Sequence, residues 1–366
     1  MKKLLLTFLA LFFITNLFAF DFGGSIKNDF YPNITNSYIK NNSDISFWFK
    51  TPLDFQGNTV LNFEVGFNSD MLLPNKAFTN IIDIRQLNLK MIIPLSQNWV
   101  STFSMGANRV SDLSSMIFNE KAYSLSFGFD FDNVHFKLLG GFAGFPLEKN
   151  FNVSKEDTTN VTPQNDIIAN ATLKFDNFFG FAPLNLEAIN ILTLAKQNKM
   201  YINVDLEREI VKKLNLHVFS SFLLSSANEG KIANFTKAQI IYTHKNTNIN
   251  GNILYVSNNN EKFSAYEPHS GFSVSQSKYI PLSNLITAGA SLSHYFTKKT
   301  QFIADANMFL SPNSETAKFD SQGLEVKANL EIQQSSDFFI GLGFINFIDA
   351  DKTSNIGFSA RIKLDY

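Results

Sequence analysis

The chain has 366 residues, no Cys, 40 Phe and a formal net charge of −1. Near-neutral charge gives no case for nucleic acid, and a chain without Cys has no thiol catalysis, zinc–thiolate centre or disulfide framework. The length suits one large β domain or two ordinary ones, and abundant Phe and Ile among Asn and Ser favour strands joined by polar loops.

The N-terminus reads as an address. Lys2 and Lys3 precede the apolar run Leu4 to Phe13, and Leu17-Phe18-Ala19 supplies a cleavage site after Ala19. Residues 1–19 are therefore expected to be a signal peptide and 20–366 the functional domain. No Cys stands at the cut, which excludes a lipid-anchored lipoprotein. Beyond it no apolar run approaches the ~18–20 residues that a membrane-spanning helix needs.

The remainder of the chain alternates with a period of two. In 60–68, Leu61, Phe63, Val65 and Phe67 alternate with Asn62, Glu64, Gly66 and Asn68. Around Arg85-Gln86 the parity breaks: Ile82 and Ile84 are out of phase with Leu87, Leu89 and Met91, which predicts a β-bulge. Further on, Tyr123, Leu125, Phe127, Phe129 and Phe131 alternate with polar residues or Gly, as do Met200, Ile202, Val204 and Leu206. The same holds for Leu324, Val326, Ala328, Leu330 and Ile332, and for the closing run Ile356, Phe358, Ala360, Ile362, Leu364 and Tyr366. Each is a strand with one apolar and one polar face.

Such strands build either a soluble sandwich around an apolar core or a transmembrane barrel with a wet lumen. Three features favour the barrel. In the quoted strands, Glu64, Asp130, Asp205, Glu207, Glu325, Lys327, Glu331, Arg361 and Lys363 all stand on the polar parity, and no charge stands on the apolar one. A basic residue on the lipid face at mid-depth costs roughly 2–4 kcal/mol, so strict segregation is expected there. Tight connections near 53–57, 94–97, 132–133, 177–181, 209–213, 245–246, 297–299 and 333–336 alternate with looser ones near 29–42, 70–80, 108–119, 146–165, 225–230, 258–284, 311–319 and 347–353, and a brief one at 196–199. Aromatics recur near strand ends (Trp99, Tyr123, Phe131, Tyr295, Phe296, Phe338 and Tyr366), as interfacial girdles require. The fold class is thus all-β: an antiparallel up-and-down transmembrane barrel of about 18 strands, within 16 to 18, with both ends on one side.

With its terminal alternation ending on an aromatic, the mature chain resembles the bacterial outer-membrane β-barrel proteins, porin-like members above all. The resemblance implies residence in the bacterial outer membrane and insertion by the barrel-assembly machinery. In that family Phe358, Ala360, Ile362, Leu364 and Tyr366 resemble the assembly signal, although many members end in Phe.

A barrel of this size has an interior too wide for side chains to fill. The mature chain opens directly as a strand, "FDFGGSIKNDF", with no N-terminal plug expected. A channel for passive diffusion of small hydrophilic solutes is the reading that remains. Candidate pore-lining residues are Glu64, Arg85, Lys90, Arg109, Lys137, Asp205, Glu207, Asp305, Glu325, Lys327, Arg361 and Lys363. Their mixed signs predict no strong ion selectivity, which needs rings of one sign. Arg85 and Arg109, near Asp83, Asp112 and Glu120, form either a solute-binding constriction or a set of mutually paired wall charges. The polar segments 146–165 and 258–284 read as solvated surface, with an inward-folded gate as the sharper alternative.

Partners expected are outer-membrane lipid, the assembly machinery and small solutes, with a homotrimer as a candidate assembly. No cofactor, metal or nucleic acid is expected. Two other function classes compete: a surface adhesin using the barrel as a loop platform, and a barrel hydrolase. The five His are dispersed, without metal-ligand spacing; Ser291, Ser293 and His294 come nearest to a hydrolase set, with Ser293 and His294 on opposite faces of a regular strand.

Overall fold

The computed structural model describes residues 21–365 except 36, 55, 75–76, 144–147, 153–165, 194–197, 227–229, 259–262, 270–272, 276–279, 281 and 314–317. The expected signal peptide and the terminal Tyr366 lie outside the described residues. In chain order the strands are β1 (Asp21–Asn33), β2 (Tyr38–Pro52), β3 (Thr59–Leu73), β4 (Ala77–Pro94), β5 (Trp99–Ser111), β6 (Asn119–Phe131), β7 (Val134–Ala143), β8 (Glu148–Asn152), β9 (Asp166–Phe178) and β10 (Ala182–Thr193). They continue as β11 (Asn198–Val211), β12 (Leu214–Ser225), β13 (Ile232–His244), β14 (Thr247–Val256), β15 (Leu285–Thr297), β16 (Thr300–Asn313), β17 (Lys318–Gln333), β18 (Phe338–Asp349) and β19 (Ser354–Asp365).

Eighteen of these strands form one antiparallel wall in which sequence neighbours pair. It closes because β1 pairs with β2 on one side and with β19 on the other. The remaining strand, β8, lies in the connection between β7 and β9, which pair directly with each other. Closure pairs every wall strand of the described residues on both sides over its lower part, the condition for a β structure in hydrocarbon. Strands ~4.8 Å apart and tilted by ~40° give 18 of them a backbone diameter of about 35 Å.

The wall confirms the parity read from the alternation. Phe22, Ile26, Phe47, Leu125, Phe127, Ile202, Ile253, Leu342, Phe358 and Ile362 are exposed on the outside, while Asp29, Asn88, Asn170, Asn203 and Ser221 are buried on the inside. A protein with exposed Phe on every side and buried Asn and Asp is inverted relative to a water-soluble one, and a lipid solvent explains the inversion. At one end of the wall, Trp99 and Phe131 pack edge-on at 5.0 Å, Phe179 and Phe181 stand exposed in the turn after β9, and Tyr295 and Phe296 stand exposed at the end of β15. Phe179, Phe181 and the Arg208 guanidinium, 3.7 Å over the Phe181 ring, belong to this girdle although the alternation alone did not point to them.

Several expected loops shrink. The connections expected at 29–42 and 70–80 are strand except for 34–37 and 74–76. There the strands pass beyond the hydrocarbon, both faces are wet, and polarity stops alternating while backbone pairing continues, as in the Tyr38–Asp44 run between β1 and β3. The expected bulge is present: Glu64 faces Gln86, Val65 faces Ile84, and Arg85 is the extra residue.

Candidate functional site: the lumen

Two of the looser connections fold inward. The first is the β5–β6 tip, 112–118. Asp112 ties it into a knot, its carboxylate accepting the Ser114 N–H (2.7 Å), the Ile117 N–H (3.1 Å) and the Phe118 N–H (2.9 Å). Ile117 and Phe118 are fully buried. The Leu113 N–H donates to Glu187 of β10 at 3.0 Å, and Glu187 also accepts from Asn170 (2.7 Å) and Asn203 (2.8 Å).

The kink that allows this lies at Gly106, whose φ of +130° is open to Gly but not to other residues. Above Leu87–Ala107 the ladder between β4 and β5 stops, and β4 pairs instead with β8, Thr79 opposite Asn152 through Asp83 opposite Glu148. Lys121, outward on β6 by alternation, meets the inward Asp83 of β4. That contact places the upper β5–β6 hairpin inside the line of the wall.

The second inward segment is the described part of 258–284, where the favoured reading as solvated surface gives way to the inward-folded alternative. Tyr266 and Leu282 are fully buried and Ile280 nearly so. Tyr266 and Ser221 share a hydroxyl hydrogen bond of 2.8 Å, Tyr201 donates to the Glu267 carbonyl at 2.8 Å, and Ser275 donates to Glu325 at 2.6 Å. His269 joins the two inward segments, its backbone N–H donating to the Ile117 carbonyl (2.9 Å) and its ring packing on Phe118. Its Nε2 lies 2.9 Å from Asp166 of β9. Burial pushes the His269 pKa down, so at neutral pH a neutral imidazole donates Nε2–H to that carboxylate.

The signal that could have revealed this fold was on the wall. Ile189, Ile191, Phe219, Leu223, Phe235, Val256, Phe309 and Phe347 stand on the lumen parity, yet are buried and pack with the inward segments as one apolar cluster. Apolar residues on the wet face of a wide barrel need a cover. For 146–165, the described part, β8, joins the sheet edge of β4.

On β19 and β1 to β4 the lumen face remains polar, most of its side chains half-exposed and Asp29, Ser46 and Asp83 buried among them. Four successive rungs can be followed across these strands: Arg361, Asp29, Asn42 and Asp70; then Lys363, Lys27, Asp44 and Asn68; then Asp365, Ser25, Ser46, Gly66 and Asp83; then Gly23, Trp48, Glu64 and Gln86. The bulge inserts Arg85 among them. Its guanidinium lies over Gly66, where any Cβ would overlap it, and is paired with Asp44, Asp83 (3.4 Å) and Glu64 (3.7 Å). Asp29 takes Lys27 at 2.7 Å and Arg361 at 2.6 Å, and Lys363 meets Asp365 at 2.6 Å.

Of the twelve candidates, Arg85 and Glu64 come together here with Arg361 and Lys363 on the neighbouring strands. Arg109 does not join them. It stands on the outward parity of β5 and donates to Asn119 at 2.5 Å, and Asp112 is engaged within its own tip. Asp205 holds His217 further round the wall, Glu325 holds Lys327 (3.7 Å) beside Ser275, and Asp305 faces Lys327 in register. Lys90, Lys137 and Glu207 are exposed. Ser293 accepts from Gln301 at 2.5 Å inside, whereas His294 bonds Thr247 at 2.8 Å outside, so the wall keeps them apart.

Glu187→Ala would leave the Leu113, Asn170 and Asn203 donors without their acceptor, at about 1–3 kcal/mol for each buried group left unsatisfied. The expected result is a lower urea midpoint together with a noisier single-channel current than the parent chain. An unchanged midpoint and quiet current would show that the tip is held by other contacts.

An 18-stranded closed wall with loops folded into its bore is a porin-type barrel. Solved structures similar to it over nearly the whole chain include OccK5 (OpdH) of Pseudomonas aeruginosa, with 10% identity, a TM-score of 0.60, and 95% of this chain and 97% of that one covered. OpdK of the same organism matches at 7% identity and a TM-score of 0.63, with 95% and 98% covered. A BenF-like porin of Pseudomonas fluorescens Pf-5 matches at 10% identity and a TM-score of 0.63, with 94% and 98% covered. At such identities the likeness is one of fold. No family model and no curated protein matches the sequence.

Proposed function

We propose that the protein is a porin-like channel of the bacterial outer membrane through which small hydrophilic solutes diffuse passively. The observation that carries this reading is the half-exposed polar strip on β19 and β1–β4, left beside the inward segments in a bore too wide for side chains to fill. Lipid-facing apolar residues on all sides support the location, and the porins named above share the fold. OpdK has been solved with vanillate, a solute small enough for such a passage. Glu64, Arg85, Arg361 and Lys363 are the pore-lining residues we favour; Lys90, Lys137, Asp205, Glu207, Asp305, Glu325 and Lys327 line the remaining wall. No enzymatic step is assigned. Residues 1–19 serve as the signal peptide in this reading, and Phe358, Ile362, Leu364 and Tyr366 as the label for the assembly machinery; a homotrimer is its candidate assembly.

The purified protein should migrate differently on a detergent gel before and after heating, and should form stepwise conducting pores with weak preference between K⁺ and Cl⁻ in a planar bilayer. Folded, inserted protein that carries no current would end the channel reading.

A further inference from the structure

Resting on the channel reading, we propose that the strip on β19 and β1–β4 is a binding subsite for small zwitterionic solutes, which carry an ammonium and a carboxylate a few bonds apart. The inference comes from how charge is divided across the four rungs. On β19 and β1, the cations Lys27, Arg361 and Lys363 outnumber the carboxylates Asp29 and Asp365. On β2 to β4, the same rungs hold Asp44, Glu64, Asp70 and Asp83 against a single cation, Arg85, with Lys121 reaching Asp83 from β6. The boundary falls between neighbouring strands, Lys27 directly opposite Asp44.

A wall built merely for stiffness gains most when opposite charges alternate and cancel locally. Here each half keeps an excess of one sign after its internal pairs are made. Adjacent strands lie ~4.8 Å apart, a spacing comparable with the two charged ends of a short amino acid. Lys27, Lys363 and Glu64 are open to the bore, at 36%, 45% and 29% exposed, while Asp29 and Asp83 are buried beneath their cations. A zwitterion lying across the boundary has its carboxylate toward the β19–β1 side and its ammonium toward β2–β4. An anion or a cation of the same size meets one favourable half and one unfavourable half, and low dielectric walls sharpen both effects. The bulge fixes the geometry, because it adds one residue to β4 and so turns both Arg85 and Gln86 toward the bore.

The test is uptake by liposomes carrying the full-length protein, with four solutes of closely matched size: L-alanine, lactate, isopropylamine and propionamide. L-alanine should enter several-fold faster than each of the other three. Glu64→Gln should reduce that preference and favour lactate, and Lys363→Gln should reduce it and favour isopropylamine. Both positions are partly exposed, and a heat-shift gel establishes that each variant is folded. Should either fail to fold, raising ionic strength on the unaltered protein provides the second measurement, since screening should abolish the preference for L-alanine. Equal entry of the four solutes through a pore that carries KCl current overturns this inference alone. Absence of KCl current brings down the channel reading beneath it.

Discussion

Replacing residues 258–283 by a short turn should raise the single-channel conductance by roughly two-fold or more, because the segment occupies part of a bore about 35 Å across between backbones. The described part of this segment reaches β9 through His269, β11 through Glu267, β12 through Tyr266 and β17 through Ser275. It therefore crosses the lumen and does not stand above it. The shortened barrel should keep its heat-shift, since the described residues of the replaced segment contribute no wall strand, but it should lose stability. Tyr266, Ile280 and Leu282 leave the apolar cluster, exposing Phe219, Leu223, Phe235 and Val256 to water inside the bore. At roughly 1.5–3 kcal/mol per large side chain, the loss is substantial. A conductance unchanged by the replacement would mean that ions pass by a route the segment does not touch.

Gly106→Val should abolish most of the folded, heat-modifiable form. The backbone there sits at φ +130°, which costs a β-branched residue about 1–3 kcal/mol. A Cβ would also overlap the Leu87 carbonyl oxygen, a fixed wall atom that cannot turn aside as a flexible side chain can. The damage falls where β5 leaves β4 and the tip begins its path toward Glu187, so it should reach both the wall and the lumen. Gly251→Ala is the comparison. Its added methyl meets nothing within 4 Å, and the urea midpoint should barely move. If Gly106→Val refolds with the parent midpoint, the kink is not what directs the hairpin inward.

The wall was legible because a lipid solvent outside and water inside write a binary code along every strand. Leu125, Phe127 and Phe129 against Ser124, Ser126 and Gly128 leave one register available. The bulge was legible for the same reason, since Arg85 disturbs an otherwise steady phase. The strand ends were less legible: outside the hydrocarbon both faces see water, and runs such as Tyr38–Asp44 carry no code. The inward segments were hidden by a different cause. "YEPHSGFSVSQSKYIPLSN" has the composition of a surface loop, and the burial of its described residues depends on partners more than 40 residues away, such as Ser221 for Tyr266. The clue lay in Phe219, Phe235 and Ile189, apolar on the side that should be wet, and it is readable only once lumen and lipid parities are told apart. Arg109 and Asp112 were close to Arg85 along the expected wall; the kink at Gly106 separates them.

The pairing of β8 with β4 imposes an order of events on assembly. Every other wall contact joins neighbours in the chain or the two ends, so a growing sheet makes it by adding hairpins or by closing. The contact of Thr79 with Asn152 belongs to neither case, since β5, β6 and β7 lie between the partners. In a sheet that grows from β1, the upper edge of β4 keeps unpaired N–H and C=O groups until the β7–β9 connection arrives to cover them; in one that grows from β19, β8 is already in place when β4 joins. In the first case the edge is, during that interval, a template for strands of other chains. A periplasmic chaperone that shields this stretch would be protecting a seam that the finished protein no longer displays.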